Sequence, residues 1–583
     1  MNSSKQRKFL ILNLSLAALI ISIVMYVLDA TGSSKLNYKG VGEGIDLIGS
    51  IYNHVIDDYI KEVDPVEVSK NAAEGILVKL DPYSSFLPPI DYNQLREDSE
   101  GEFGGLGIEI QQVGEYPRVM SSPIPETPAE SVGLRAGDQI INIDSVSTRN
   151  MDINDVVARL RGKVGTAVTI QVRRTNHEEP IELTIKRAKI ILKNIQYSGE
   201  IENGVGYIKL NRFNKEASHE MDEALNNIQK NGNLKGVILD LRGNPGGLLA
   251  AAQDIANKFL PKGSLIVFTK GRNQKAEMDL KAQMSPVLHP SVPLVVIVDM
   301  GSASASEIVA GAIQDHDRGV LVGATTFGKG SVQTVYEDLP NRAGLKLTTA
   351  YYYTPSGRCI HNERNFDENY IASLIEDDDT LRTTTDTEDS LAKRDKFYTL
   401  NKQRIVYGGG GVTPDIIVKE KKMGNILIQL YSQSVFFEFA VNYVEKHPDL
   451  PLDFTITDEI IKEFKTFIED EKVFKYTIPG KKNLDDFRKI VQRENYNGDI
   501  IAMVDNLEKT LREKREKDFD ANTEFIMLYL KRDITAAKFG SRERTVASKE
   551  WDIQLKKAIE IINDPARYNS ILQLGAKTGV VEM

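Results

Sequence analysis

The chain has 583 residues and a formal net charge of -10, from 73 Lys+Arg against 83 Asp+Glu. At roughly 150 residues per domain this length suggests about four structural units. A 41% hydrophobic, 27% charged composition excludes a mainly disordered chain, and the acidic balance argues against a bulk nucleic-acid binder. The single cysteine, Cys359, excludes an intramolecular disulfide and any multi-cysteine metal site.

At the N-terminus, Lys5, Arg7 and Lys8 precede an uncharged apolar run over residues 9–28. A run of about 18–25 such residues can span a bilayer, and basic residues before it hold the N-terminus in the cytoplasm. Residues 1–29 are therefore expected to be a transmembrane signal anchor, favoured over a cleaved signal peptide. Everything after Asp29 is then expected to be exported, anchored at the inner (cytoplasmic) membrane and lying in the periplasm. Residues 30–97 read as a linker followed by a helical pair. Residues 98–190 alternate like short strands around one helix, INDVVARLRG, and predict a small β module.

From 191 to 420 short apolar strands alternate with helices, the pattern of a parallel α/β sheet. Residues 361–405 interrupt it with an acidic, Thr-rich stretch without period, read as a surface loop. Residues 421–583 read as a helical C-terminal domain. Ile460, Ile461, Phe464, Phe467 and Ile468 form one apolar stripe, and Leu555, Ile559 and Ile562 another. Both are core or partner surfaces, open to oligomer or adaptor contacts.

Chemistry concentrates in PLVVIVDMGSASASEIVAGAIQDHDRGVLVGATTFGKGSVQ, read as strand, turn, helix, strand, turn. A right-handed crossover makes the two strands parallel, so their C-terminal ends share the sheet edge where open α/β sheets place their sites. Ser302, Ser304 and Ser306 lie at one end and Lys329 just beyond the other. A serine hydroxyl needs a base to become nucleophilic, and a desolvated lysine can serve. Helix N-terminal N–H groups can stabilise an oxyanion, and the turn Arg242–Gly247 could supply a further donor. Bland alternatives stand beside this: an N-cap serine and a solvated lysine. Gly323–Lys329 also matches the start of a P-loop, but Gly330 stands where Ser or Thr would hold magnesium. No histidine cluster with ligand spacing is present, so no metal or other cofactor is expected.

LDPYSSFL (80–87), the β module, DLRGNPGG (240–247), GSASASEI (301–308), TTFGKGSVQ (325–333) and YYTPSGR with the later GGGGVTPDI occur in one order. Together they resemble the C-terminal processing (tail-specific) peptidases, PDZ-containing Ser/Lys serine endopeptidases. The resemblance implies a multidomain α/β protein. It would have a crotonase/ClpP-like peptidase core, an inserted PDZ-like module and helical N- and C-terminal regions. It implies Ser304 as nucleophile, Lys329 as general base and Gln333 as the residue orienting the lysine. The oxyanion hole would use the N–H groups of Ala305 and Gly246, with Gly247 left open as the alternative. Ser306 is then a helix cap. Gly105, Leu106, Gly107 and Ile108 match the PDZ carboxylate-binding loop, and Arg161 a position coupling that domain to the core. Partners are then protein or peptide substrates with exposed C-termini, cleaved at or near that end. The competing class is a catalytically silent PDZ scaffold.

Overall fold

The computed structural model describes residues 38–362, 391, 393–418, 423–573 and 580–581, apart from 176, 231, 471, 478–479 and 495–497. The chain divides into two compact units at Leu80/Asp81. The expected anchor over 9–28 lies outside the described residues. Among the described residues no helix is long and apolar enough to cross a membrane. Anchoring in the inner membrane, with a periplasmic catalytic domain, is therefore corrected: the structure does not support it.

In the first unit, α1 (Tyr38–Asp58) and α2 (Pro65–Leu77) form the expected helical pair. Asp64 caps α2 by accepting from Val66 N at 2.8 Å, and Pro65 opens its first turn. The Tyr52 hydroxyl donates to the Pro65 carbonyl at 3.0 Å, tying the two helices together.

The second unit opens with β1 (Ser85–Leu87) and α3 (Pro89–Glu100). A β module follows. It comprises β2 (Glu102–Gly105), β3 (Ile110–Val113), β4 (Tyr116–Val119), β5 (Gln139–Ile143), β6 (Val146–Ser147), α4 (Ile153–Leu160), β7 (Ala167–Arg173), β8 (Ile181–Lys186) and β9 (Ala188–Ile191). Strand β3 is an edge of its sheet, ordered β3-β4-β5-β7-β8, and β2 pairs with β9. Along β7, Val168, Ile170 and Val172 alternate inward, onto Ile140, Ile143 and Val156.

The α/β region runs through β10 (Ile195–Glu202), β11 (Val205–Leu210), α5 (Ala217–Gln229), β12 (Gly236–Asp240), α6 (Leu249–Asn257), β13 (Leu265–Gly271) and β14 (Met278–Lys281). It continues through β15 (Leu294–Val298), α7 (Ala305–Asp315), β16 (Val320–Gly323), β17 (Ser331–Tyr336), β18 (Gly344–Tyr353), β19 (Lys396–Tyr398), β20 (Ile405–Tyr407) and β21 (Ile416–Ile417). Strands β11, β12, β15, β16 and β21 are parallel neighbours, with β10 antiparallel at one edge. Burial on both faces explains their unbroken apolar sequences. Val237, Leu239, Val296 and Val298 meet α5–α7, whereas Ile238, Val295 and Ile297 face the other way.

That second face is covered by the last helices, α8 (Ile553–Asn563) and α9 (Pro565–Gln573), through Leu555, Ala558, Ile561, Ile562, Tyr568 and Leu572. Strand β22 (Val580–Val581) adds parallel to β21. The helical C-terminal region is thus not one block, because its end belongs to the parallel sheet. Its earlier helices bury Ile460, Phe464 and Ile468 in a separate aromatic-rich core. A second sheet was not expected: β1, β13, β14, β17 and β18 join antiparallel, with β18 at its centre.

Most of the acidic stretch in 361–405 lies outside the described residues. Its end is not a surface loop, since β19 and β20 form a hairpin and buried Arg404 pairs with Asp317 at 2.6 Å and Asp415 at 2.5 Å.

Candidate active site

Three loops converge because β12, β15 and β16 are parallel and therefore end on one edge. They are the Gly-rich turn 241–247, the serine turn 299–304 and the lysine segment 324–330. The P-loop reading fails here, since Lys329 leads into strand β17 and not into a helix.

Ser304 is the N-cap residue of α7, with φ 54 and ψ −113. A non-glycine residue in that region carries strain of about 1–3 kcal/mol, held only by surrounding contacts. Ser302 donates to the Leu241 carbonyl at 2.9 Å and accepts from Asp299 N at 3.0 Å. Ser306 donates to the Asn244 carbonyl at 2.9 Å. Ser302 and Ser306 therefore rivet the serine turn to the Gly-rich turn. Ser306 lies inside the helix and does not cap it.

Glu307, fully buried on α7, joins the serine and lysine loops. Its carboxylate accepts from Ser304 N at 2.8 Å, Thr326 Oγ1 at 2.6 Å, Gly328 N at 2.7 Å and Lys329 N at 2.9 Å. Burial pushes its carboxyl up to about 7, against the lowering effect of these four donors. Sequence reasoning passed over it, although Ser304 and Glu307 carry the S-x-x-E spacing of a capping box. The buried Tyr352 hydroxyl lies against the Ser304 carbonyl at 3.1 Å and that of Lys329.

The Lys329 amine lies 4.4 Å from the ring centroid of Tyr83. Burial, then the charge of Lys346, lowers its pKa; Glu307 and Asp81 oppose them. Gln333 is on β17, and its amide nitrogen donates to Ser331 Oγ at 2.9 Å and Thr348 Oγ1 at 3.3 Å. These bonds hold the amide beside the lysine segment without placing it on the amine.

Gly246 packs against the serine turn. A Cβ there would stand 2.7 Å from the Ala303 carbonyl, 2.8 Å from Ala305 N and 2.9 Å from Ser304 Cβ. Its N–H donates to Asn244 Oδ1 at 2.9 Å. Gly247 N–H and Ala305 N–H make no hydrogen bond among the described residues. The turn is anchored by Asp240, which burial would push up but which Arg242 and Lys209 hold low. Arg242 continues to Asp552, just before α8, at 2.7 Å.

In the β module, the carbonyls of Gly104, Leu106 and Gly107 accept from Gly162, Ala129 and Ile124 N, each at 3.0 Å. The N–H groups of Leu106, Gly107 and Ile108 make no hydrogen bond among the described residues, and Gly105 ends β2. Arg161 follows α4. It pairs with Glu97 at 3.2 Å and Asp98 at 3.7 Å on α3, and stacks 4.0 Å over Phe103. Its guanidinium is therefore engaged by α3 and β2.

Comparison with known proteins gives these modules a context. Residues 204–370 match peptidase family S41, residues 119–174 a PDZ domain, and residues 426–562 the C-terminal helical domain of a probable PDZ-protease. A carboxy-terminal-processing protease of Bartonella bacilliformis is 39% identical over 341 residues, 58% of this chain and 76% of that protein. The carboxy-terminal processing protease CtpA of Bacillus subtilis is 33% identical over 365 residues, 62% of this chain and 76% of that protein. A solved structure described as a photosystem II D1 C-terminal processing protease is 28% identical, with a TM-score of 0.33, covering 54% of this chain and 89% of that one. With relatives of this identity and coverage, the chain belongs to the PDZ-containing carboxy-terminal processing proteases of peptidase family S41, and is a serine-type peptidase.

Proposed function

We propose that the peptidase works through a Ser304/Lys329 dyad on a crotonase/ClpP-like core, cleaving proteins at or near C-termini captured by the PDZ module. The observation that carries the reading is the bridge made by Glu307. One buried carboxylate fixes Ser304 N and Lys329 N, so nucleophile and base are held by a single group. Ser304 Oγ attacks the scissile carbonyl while Lys329, whose charged form burial disfavours, takes the hydroxyl proton in its neutral form. The ammonium then delivers that proton to the leaving amine, and water attacks the acyl-enzyme in the second half. The negative oxygen lies toward Ala305 N–H. Its second donor is the Gly247 N–H in preference to Gly246, whose N–H is already given to Asn244. Gln333, with both amide hydrogens on hydroxyls, has its carbonyl oxygen left to orient the lysine. Leu106, Gly107 and Ile108 offer N–H groups to a terminal carboxylate, and β3 offers a sheet edge to the peptide.

Ser304→Ala and Lys329→Ala should each abolish turnover of a peptide with a free C-terminus, with the circular dichroism spectrum preserved. A serine-reactive probe should label the wild type and not Ser304→Ala. Wild-type turnover in either variant would refute the dyad.

A further inference from the structure

Resting on the assignment of Lys329 as base, we infer that Tyr83 is a positioning residue for it, its ring covering the amine, fixing it toward the serine turn and keeping water away. Tyr83 comes from LDPYSSFL, far upstream of the core strands. Asp81 Oδ1 accepts from Tyr83 N and Ser84 N, both at 2.9 Å, and from Thr348 Oγ1 at 3.0 Å. Asp81 Oδ2 accepts from Ser84 Oγ at 2.6 Å, and Ser84 Oγ accepts from Thr348 N at 3.0 Å. The turn is thus fastened to β18, beside the pairing of β1 with the same strand. Thr348 Oγ1 also receives the Gln333 amide, so one carboxylate organises both the cover on the amine and the neighbouring glutamine.

The groups facing the amine are Glu307 from α7, Asp81 and Tyr83 from this turn, and Lys346 from β18. His361 Nδ1 accepts from Gly330 N, the residue after the lysine, at 3.3 Å. Two effects of the ring oppose each other. Attraction between the ring and a cation favours the ammonium. Exclusion of water disfavours it. The ring closes over the amine at 4.4 Å and belongs to the burial that lowers Lys329, and the direction of the limb shift below reads which of the two effects is larger. The Tyr83 hydroxyl is pushed up to about 12 by burial and the charges of Glu307 and Asp81, so it stays neutral where the enzyme works. The ring acts as a cover and not as a charge.

The experiment is kcat/KM against pH for wild type, Tyr83→Phe, Tyr83→Leu, Tyr83→Ala and Tyr83→Ser, with folding followed by circular dichroism. The Ala and Ser variants should move the acid limb up by about one pH unit, a tenfold loss below the limb that is recovered at higher pH. Phe and Leu, which keep the bulk, should leave the limb in place. The inference is overturned by an unmoved limb in the folded Ala or Ser variant, or by Phe shifting it as far as Ala does. Full turnover in Lys329→Ala would instead overturn the base assignment itself.

Discussion

Gly246 and Gly243 make a matched pair in one turn. Both have positive φ, +99 and +64, so alanine at either position carries about 1–2 kcal/mol of backbone strain. They differ in what a methyl group would meet. At Gly243 nothing lies within 4 Å. At Gly246 the methyl would stand under 3 Å from Ala303 O, Ala305 N and Ser304 Cβ, backbone atoms and a Cβ that cannot swing aside. With Ser304 as the proposed nucleophile and Ala305 N–H as the proposed donor, Gly246→Ala must push both off their positions. Loss of one oxyanion donor alone costs about 10²–10³ in kcat. We expect kcat/KM on a fluorogenic peptide with a free C-terminus to fall at least about 100-fold in Gly246→Ala. Gly243→Ala should stay within about threefold, under 1 kcal/mol of barrier. Urea titration should show the backbone-strain loss in both variants and a larger loss in Gly246→Ala, whose methyl also clashes. Near-wild-type rates in Gly246→Ala, or equal losses of activity in both, would refute the reasoning.

The other expectations concern charge and recognition. The Glu307 carboxyl is raised from its ordinary 4.5 to about 7, so over that window the folded form holds a proton the unfolded form has released. The stability it contributes is present at low pH and lost as pH rises through 7, to the extent of roughly 3 kcal/mol. The stability advantage of wild type over Glu307→Gln should therefore shrink between pH 5 and pH 8 in urea titrations, and a constant gap would contradict the assignment. A peptide ending in a free carboxylate should bind at least about tenfold more tightly than its C-terminal amide, because amidation removes the charge that backbone N–H groups hold. Equal affinities by calorimetry would remove Leu106–Ile108 from that role.

What could be read from the sequence was local. Ser304 and Lys329 lie at the ends of successive parallel strands, so a crossover rule alone brings them to one edge. Glu307 was visible in the same segment, but a glutamate in a first helical turn looks like ordinary solvent-facing charge until four donors are seen around it. Tyr83 was not legible, because it reaches the amine only through pairing of β1 with β18, a contact between distant parts of the chain. The stripe Leu555, Ile559, Ile562 was readable as apolar, but periodicity does not say which surface it covers. Arg404 and Asp415 were hidden beside a low-complexity stretch whose composition suggested solvent.

The placement of α8 and α9 bears on how the enzyme comes into being. The face formed by Ile238, Val295 and Ile297 stays open until residues 553–573 have left the ribosome, and the clamp from Asp552 to Arg242 closes only then. The strands that lead into the three converging loops are all made earlier, so covering of this sheet face and the tether on the Gly-rich turn wait for a segment synthesised well after them.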